Sequence, residues 1–265
     1  MRPFELPNGP ITRDAYKALL LQLDPDDDEA ERAIRMALEK NTAARLRRIF
    51  NRINGDFREY YPEEMEADML RAMEAYRRAY DRNRPQLADA LSRALLQGVD
   101  LGVQVAVDQF ENIGGFGFDW TMTNTRARDW AEQYAGQLIR DIDVTTERMV
   151  QQSVSRWIGN QEPLQRLIDD LRAVPFSEQR AQLIAQTEIT RAFAEGTIES
   201  YIDSGLVSGP PEIRPPNDSH PGCRCWPGLI EDGKGNWSYI WLTSADEKVC
   251  PICGKLANRK IAVVG

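Results

Sequence analysis

His220, Cys223, Cys225, Cys250 and Cys253 are the chain's only histidine and all four of its cysteines, and they fall within 34 of its 265 residues. Two sulfurs separated by two residues can turn back onto one ion, and a second cluster of His or Cys completes the four-coordinate shell that zinc favours. The segments His220-Pro221-Gly222-Cys223-Arg224-Cys225 and Cys250-Pro251-Ile252-Cys253 are therefore expected to meet in space. Cys250 and Cys253 make the firmest pair, joined by two of His220, Cys223 and Cys225, with His220 the preferred member. The spare residue would lie just outside the shell.

Two plainer readings compete with a structural zinc site. A redox Cys-x-x-Cys usually sits at a helix N-terminus in a βαβ setting, and no such pattern surrounds Cys250. Disulfides need an oxidising compartment, yet Met1-Arg2-Pro3-Phe4-Glu5 does not open a secretory signal and no apolar run reaches membrane-spanning length.

Length alone predicts about two domains. A hydrophobic share of 42% with 28% charged residues allows an ordinary soluble core. The net charge of −8 argues against a dedicated nucleic-acid binder. Charge is unevenly placed, however. Six of the eight residues from Asp24 to Glu31 are acidic, whereas Arg32 to Arg58 carries eight basic residues against Glu39 and Asp56. An arginine-rich helix can touch phosphate or an acidic protein surface; the plainer reading is a solvated helix face.

Periodicity predicts a mainly α protein: elongated helical N-terminal and central regions followed by a small zinc-stapled α+β module. Ile34, Leu38, Thr42, Leu46 and Ile49 define one helix face. Pro62-Glu63-Glu64 has the form of a first helical turn, and a further helix follows Pro85 through Leu87, Leu91, Leu95 and Val99. Three glycines between Gly114 and Phe118 mark a boundary. Ile142, Thr146, Met149, Val150 and Trp157 share a face of a helix ended by Gly159-Asn160, and Leu164, Leu167, Ile168 and Leu171 form a short amphipathic helix. Ser177 is a plausible cap for a helix reaching Asp203, with Gly205 as its stop. The regions expected are 1–112, 113–205 and 206–265.

On that last helix Leu183, Ile184, Thr187, Ala194, Ile198, Tyr201 and Ile202 occupy one arc, with Arg191 inside it. Glu188 and Glu195 stand at ion-pairing distance along the helix, so the three form an expected structural ion-pair group. Beyond Gly209-Pro210-Pro211, residues 239–242 and 261–264 are short strand candidates. Thr243 and Asp246 are spaced as a capping pair before Cys250. Some sixty residues build little core, so metal is expected to substitute for burial there. Arg224, Lys248 and Lys255 would offset thiolate charge.

These features together resemble the head-morphogenesis or minor head proteins of tailed phages, the Mu F-like family. The resemblance is carried by Asp143–Ile158, by Arg180–Phe193 with its Gln186-Thr187-Glu188-Ile189-Thr190-Arg191 run leading to Gly196, by Trp241-Leu242-Thr243 with Asp246, Val249, Cys250 and Cys253, and by His220-Pro221-x-Cys223-Arg224-Cys225. It spans about half the chain, residues 140–256. In the family the Cys-x-x-Cys comes first; here the two clusters are reversed. A tetrahedral site is indifferent to chain order, but the family's strand topology cannot be carried over.

The resemblance implies a non-enzymatic minor capsid protein, portal-associated, assembled in the host bacterial cytoplasm and retained in the virion. Its implied partners are the portal or major capsid protein, with weak contact to packaged DNA through the Arg32–Arg58 helix and none with membrane. The alternative is a zinc-dependent nuclease or hydrolase acting on phage DNA. Catalytic zinc keeps an open position and a separate general base, which the single histidine supplies only if it is not a ligand. No phosphate-binding glycine motif is present in the sequence.

Overall fold

The computed structural model describes residues 6–23, 30–62, 65–113, 120–214, 220–243 and 249–263. In chain order they form α1 (Arg13–Leu20), α2 (Ala30–Tyr60), α3 (Met69–Ile113), α4 (Trp120–Asn160), α5 (Leu164–Ala173), α6 (Glu178–Asp203), β1 (Trp226–Glu231), β2 (Trp237–Leu242), α7 (Pro251–Leu256) and β3 (Lys260–Ile261). The protein is mainly α, with a small α+β module at its C-terminal end. Among the described residues no helix is long and apolar enough to cross a membrane.

Local signals place most boundaries. Thr12 caps α1 by accepting from the Ala15 N–H at 3.2 Å, and Ser177 caps α6 by accepting from Arg180 N at 3.2 Å. Gly205 adopts φ 73° just past α6, the left-handed stop that glycine provides. The expected α2 face is buried from Ile34 to Ile49.

Two helix boundaries differ from expectation. The helix expected at Pro62 begins at Met69, where Asp68 Oδ1 accepts from Arg71 N at 2.8 Å; Glu63 and Glu64 lie outside the described residues. Pro85, expected to separate two helices, sits inside α3. Proline removes one hydrogen bond to the carbonyl four residues back. Here that residue, Asp81, is exposed like Pro85 itself, so water can satisfy the carbonyl. The Gly114–Phe118 boundary lies outside the described residues, with α3 ending and α4 beginning on either side.

The chain packs as two compact units that cut across the three consecutive regions, because α2, α3, α4 and α6 each contribute to both. Unit 1 comprises Met1–Lys40, Arg93–Gln133 and Ile184–Gly265; unit 2 comprises Asn41–Ser92 and Tyr134–Leu183. In unit 2, Tyr61 stacks on Phe57 and meets the Trp157 ring edge-on, each with centroids 5.9 Å apart. Asp143 accepts from the Tyr80 hydroxyl at 2.7 Å and pairs with Arg84 at 2.8 Å.

Unit 1 is centred on a tight crossing of α3 and α6. A Cβ at Gly98 would come within 2.8 Å of Ala192 Cβ, one at Gly102 would collide with the Phe193 carbonyl, and one at Gly196 with the Val99 carbonyl. Against the ends of these helices packs the C-terminal sheet, antiparallel in the order β1-β2-β3, with Trp226 opposite Leu242 and Tyr239 opposite Ile261. Strand β1 is an addition to the expected strands: Pro227 and Gly228 disguise it, and its edge position is what makes a proline tolerable. β2 covers the expected 239–242. Of 261–264, Ile261 belongs to β3, Val263 bridges to Pro211, and Val264 lies outside the described residues. The module does not stand on metal alone. Cys223, Cys225, Tyr239, Trp241, Cys253 and Ile261 share one buried cluster with Ala106 and Phe110 of α3 and Ile198 and Tyr201 of α6.

Candidate metal centre

Each half of the centre is a short turn dictated by its sequence. In His220-Pro221-Gly222-Cys223 the Cys223 N–H donates to the His220 carbonyl at 3.1 Å, and Gly222 has φ 80°. Proline at the second position and glycine with positive φ at the third define a type II turn. In the other half, Cys250 is the N-cap of α7 and Pro251 occupies its first turn, where the missing N–H costs nothing. The Cys250 sulfur accepts from Cys253 N at 3.3 Å, and the Cys223 sulfur accepts from Cys225 N at 3.4 Å. The capping pair expected at Thr243 and Asp246 runs into residues 244–248, which lie outside the described residues.

The two turns meet. His220, Cys223 and Cys253 bring their ligand atoms within 4.8 Å of one another and form a group able to hold a metal ion. Cys223 Sγ and Cys253 Sγ are 3.8 Å apart, and Cys253 Sγ lies 3.6 Å from His220 Nε2. A tetrahedral ion with bonds of about 2.3 Å to sulfur and about 2.0 Å to nitrogen sets edges of about 3.8 Å and about 3.5 Å. The donor set therefore fits such an ion. None of the four cysteines forms a disulfide.

Cys223, Cys225 and Cys253 are buried, while Cys250 and His220 are half-buried. Burial, with the neighbouring Cys250 thiol, pushes the Cys253 thiol up to about 12. Hydrogen bonding to Cys223 and burial raise Cys225 as well, opposed by the Trp241 indole. The Pro221 carbonyl, 3.0 Å from Nδ1, raises His220, and the Cys250 thiol beside the imidazole acts in the same direction. Cys250 thus lies against His220 and Cys253, and Cys225 lies against Cys223, Cys253 and Trp241.

The metal turn is fastened to the helices by contacts between residues far apart in sequence. Arg224 reaches Glu39 of α2 through three hydrogen bonds, the shortest 2.8 Å, with both side chains under a tenth exposed. Arg224 was expected to offset thiolate charge; its geometry instead ties it to Glu39. Lys255 is exposed and Lys248 lies outside the described residues. One turn along α2, Arg35 is fully buried, with its guanidinium 4.3 Å from the Trp226 ring and 5.0 Å from that of Phe193. Its nitrogens make no hydrogen bond among the described residues, and burial lowers its pKa. The basic run on α2 is accordingly not one solvated face: Arg47, Arg48, Arg52 and Arg58 are exposed, and Arg35 is core. A buried guanidinium spaced four residues from Glu31 and Glu39 was the available signal, and it looks like any helical charge run.

On α6, Arg191 pairs with Glu188 at 2.6 Å, as helical spacing suggests. Glu195 is engaged by Arg214 at 3.8 Å, a partner helical spacing does not supply. The arc expected to be buried is too narrow: Leu183 is exposed, while every residue from Ala192 to Ile198 is buried, because α6 is surrounded through its second half. No protein-family model, curated protein or solved structure matches this chain.

Proposed function

We propose that this chain is a non-enzymatic minor capsid or head-morphogenesis protein of a tailed phage, whose C-terminal module is stapled by one structural zinc ion. His220, Cys223, Cys250 and Cys253 would hold the ion, with Cys225 beside it. The observation that carries this reading is the aim of the single histidine. Its Nδ1 is committed to the Pro221 carbonyl and its Nε2 faces Cys253, so the imidazole serves the cluster and not a substrate. A closed shell of two turns on packed helices suits a scaffold that docks other proteins. The portal or major capsid protein is the partner this reading assigns, with weak contact to packaged DNA through exposed Arg48, Arg52 and Arg58 of α2.

Co-expression with the neighbouring portal and capsid proteins tests the reading: the protein should sediment with assembled particles and should not cut plasmid or linear DNA with zinc present. Metal-dependent cleavage abolished by His220→Ala would replace it with the nuclease alternative.

A further inference from the structure

In the turn that carries His220, the peptide between Pro221 and Gly222 is held at both ends. Its carbonyl lies 3.0 Å from His220 Nδ1. A carbonyl oxygen only accepts, so Nδ1 bears a hydrogen, and in the neutral ring that leaves the lone pair on Nε2, which faces Cys253. The N–H of the same peptide donates to Thr187 Oγ1 on α6 at 2.8 Å. The carbonyl and N–H of a trans peptide point in opposite directions across a rigid plane, so a partner on one end fixes the aim of the other. Rotation of this central peptide is also what distinguishes a type II turn from a type I turn. The adjoining peptide is held as well: Gln186 Nε2 donates to the Gly222 carbonyl.

We propose that Thr187 is a positioning residue for the metal, setting the tautomer and direction of His220 through the Pro221–Gly222 peptide from a helix that contributes no ligand. This rests on the metal-centre reading above and adds to it the route by which α6 tunes affinity. Outer partners that fix a ligating histidine typically change metal affinity about 10–100-fold.

The full chain carries one histidine, so its ring nitrogens are read directly by NMR after ¹⁵N-histidine labelling, and zinc affinity is read by competition with a chromogenic chelator. Wild-type protein without metal should show the Nδ1–H tautomer. Thr187→Val, which keeps the shape and removes the acceptor, should weaken zinc binding about 10–100-fold, while Thr187→Ser should stay close to wild type. In a His220→Ala background Thr187→Val should add little further loss. An Nε2–H tautomer in the wild type, an unchanged affinity in Thr187→Val, or the same loss in both backgrounds would overturn the positioning role while leaving the metal centre standing. Wild-type protein that takes up no zinc would overturn both. Should Thr187→Val fail to fold, the wild-type tautomer and the Thr187→Ser affinity still decide.

Discussion

The α3–α6 crossing and the metal turn belong to the same unit and are built on opposite terms. The crossing works by what Gly98, Gly102 and Gly196 leave out, since backbone meets backbone where side chains would stand. The turn works by what His220, Cys223, Arg224 and Thr187 carry, each supplying an atom at a set distance. The first should tolerate no added volume and be indifferent to chemistry. The second should tolerate small changes of shape and fail when one donor or acceptor is lost.

The largest expected effect is on the crossing. Gly102→Leu drives a side chain into the Phe193 carbonyl, and backbone cannot yield as a flexible side chain does, so a cost on the order of 3 kcal/mol or more is expected. Soluble yield and thermal melts followed by circular dichroism check this; a melting temperature within a few degrees of wild type would show that the crossing is looser than described.

Metal removal comes next and probes the boundary between the two regions. Because Cys223, Cys225 and Cys253 share their cluster with Phe110, Ile198 and Tyr201, chelation should speed hydrogen exchange at the ends of α3 and α6 as well as beyond residue 205. Acceleration confined to the C-terminal residues would mean that the module is uncoupled from the helices.

A smaller loss is expected from Glu39→Gln, which strands the buried Arg224 charge beside buried Arg35. Gln keeps an acceptor for Arg224 and loses only the charge, so the cost is about 1–3 kcal/mol. Urea unfolding measures it, and a loss under about 1 kcal/mol, as for a surface pair, would place the pair in solvent.

The same contrast explains what could be read in advance. The meeting of His220, Cys223 and Cys253 was legible because histidine and cysteine are scarce here and their spacing carries the geometry. Helix α5 and the start and stop of α6 were legible because capping and periodicity are local. Arg35 and Glu39 were not, because a buried cation and a solvated one have the same neighbours in sequence; only Trp226 and Arg224, remote along the chain, distinguish them. Strand β1 was hidden by Pro227-Gly228, and its only local sign is the Asp232–Asn236 turn with Gly233 and Gly235 at positive φ. Pro85 misled for a related reason: a break signal is local, while its tolerance depends on which side of the helix meets water.

Unit 2 draws only on residues 41–92 and 134–183, so it is nested inside the segments that make unit 1. This has a consequence for synthesis. Chains leave the ribosome N-terminus first, and domains fold as their parts appear. Unit 2 is fully translated at Leu183, before any of Ile184–Gly265 exists, whereas Glu39 waits for Arg224, 185 residues later. At roughly 5–20 residues per second that interval is ~10–40 s. Gly98 and Gly102 of α3 wait for Ala192 and Phe193 of α6, 94 and 91 residues later. Cys253 is made 30 residues after Cys223, so the two halves of the cluster meet only once α1 to α6 have been translated.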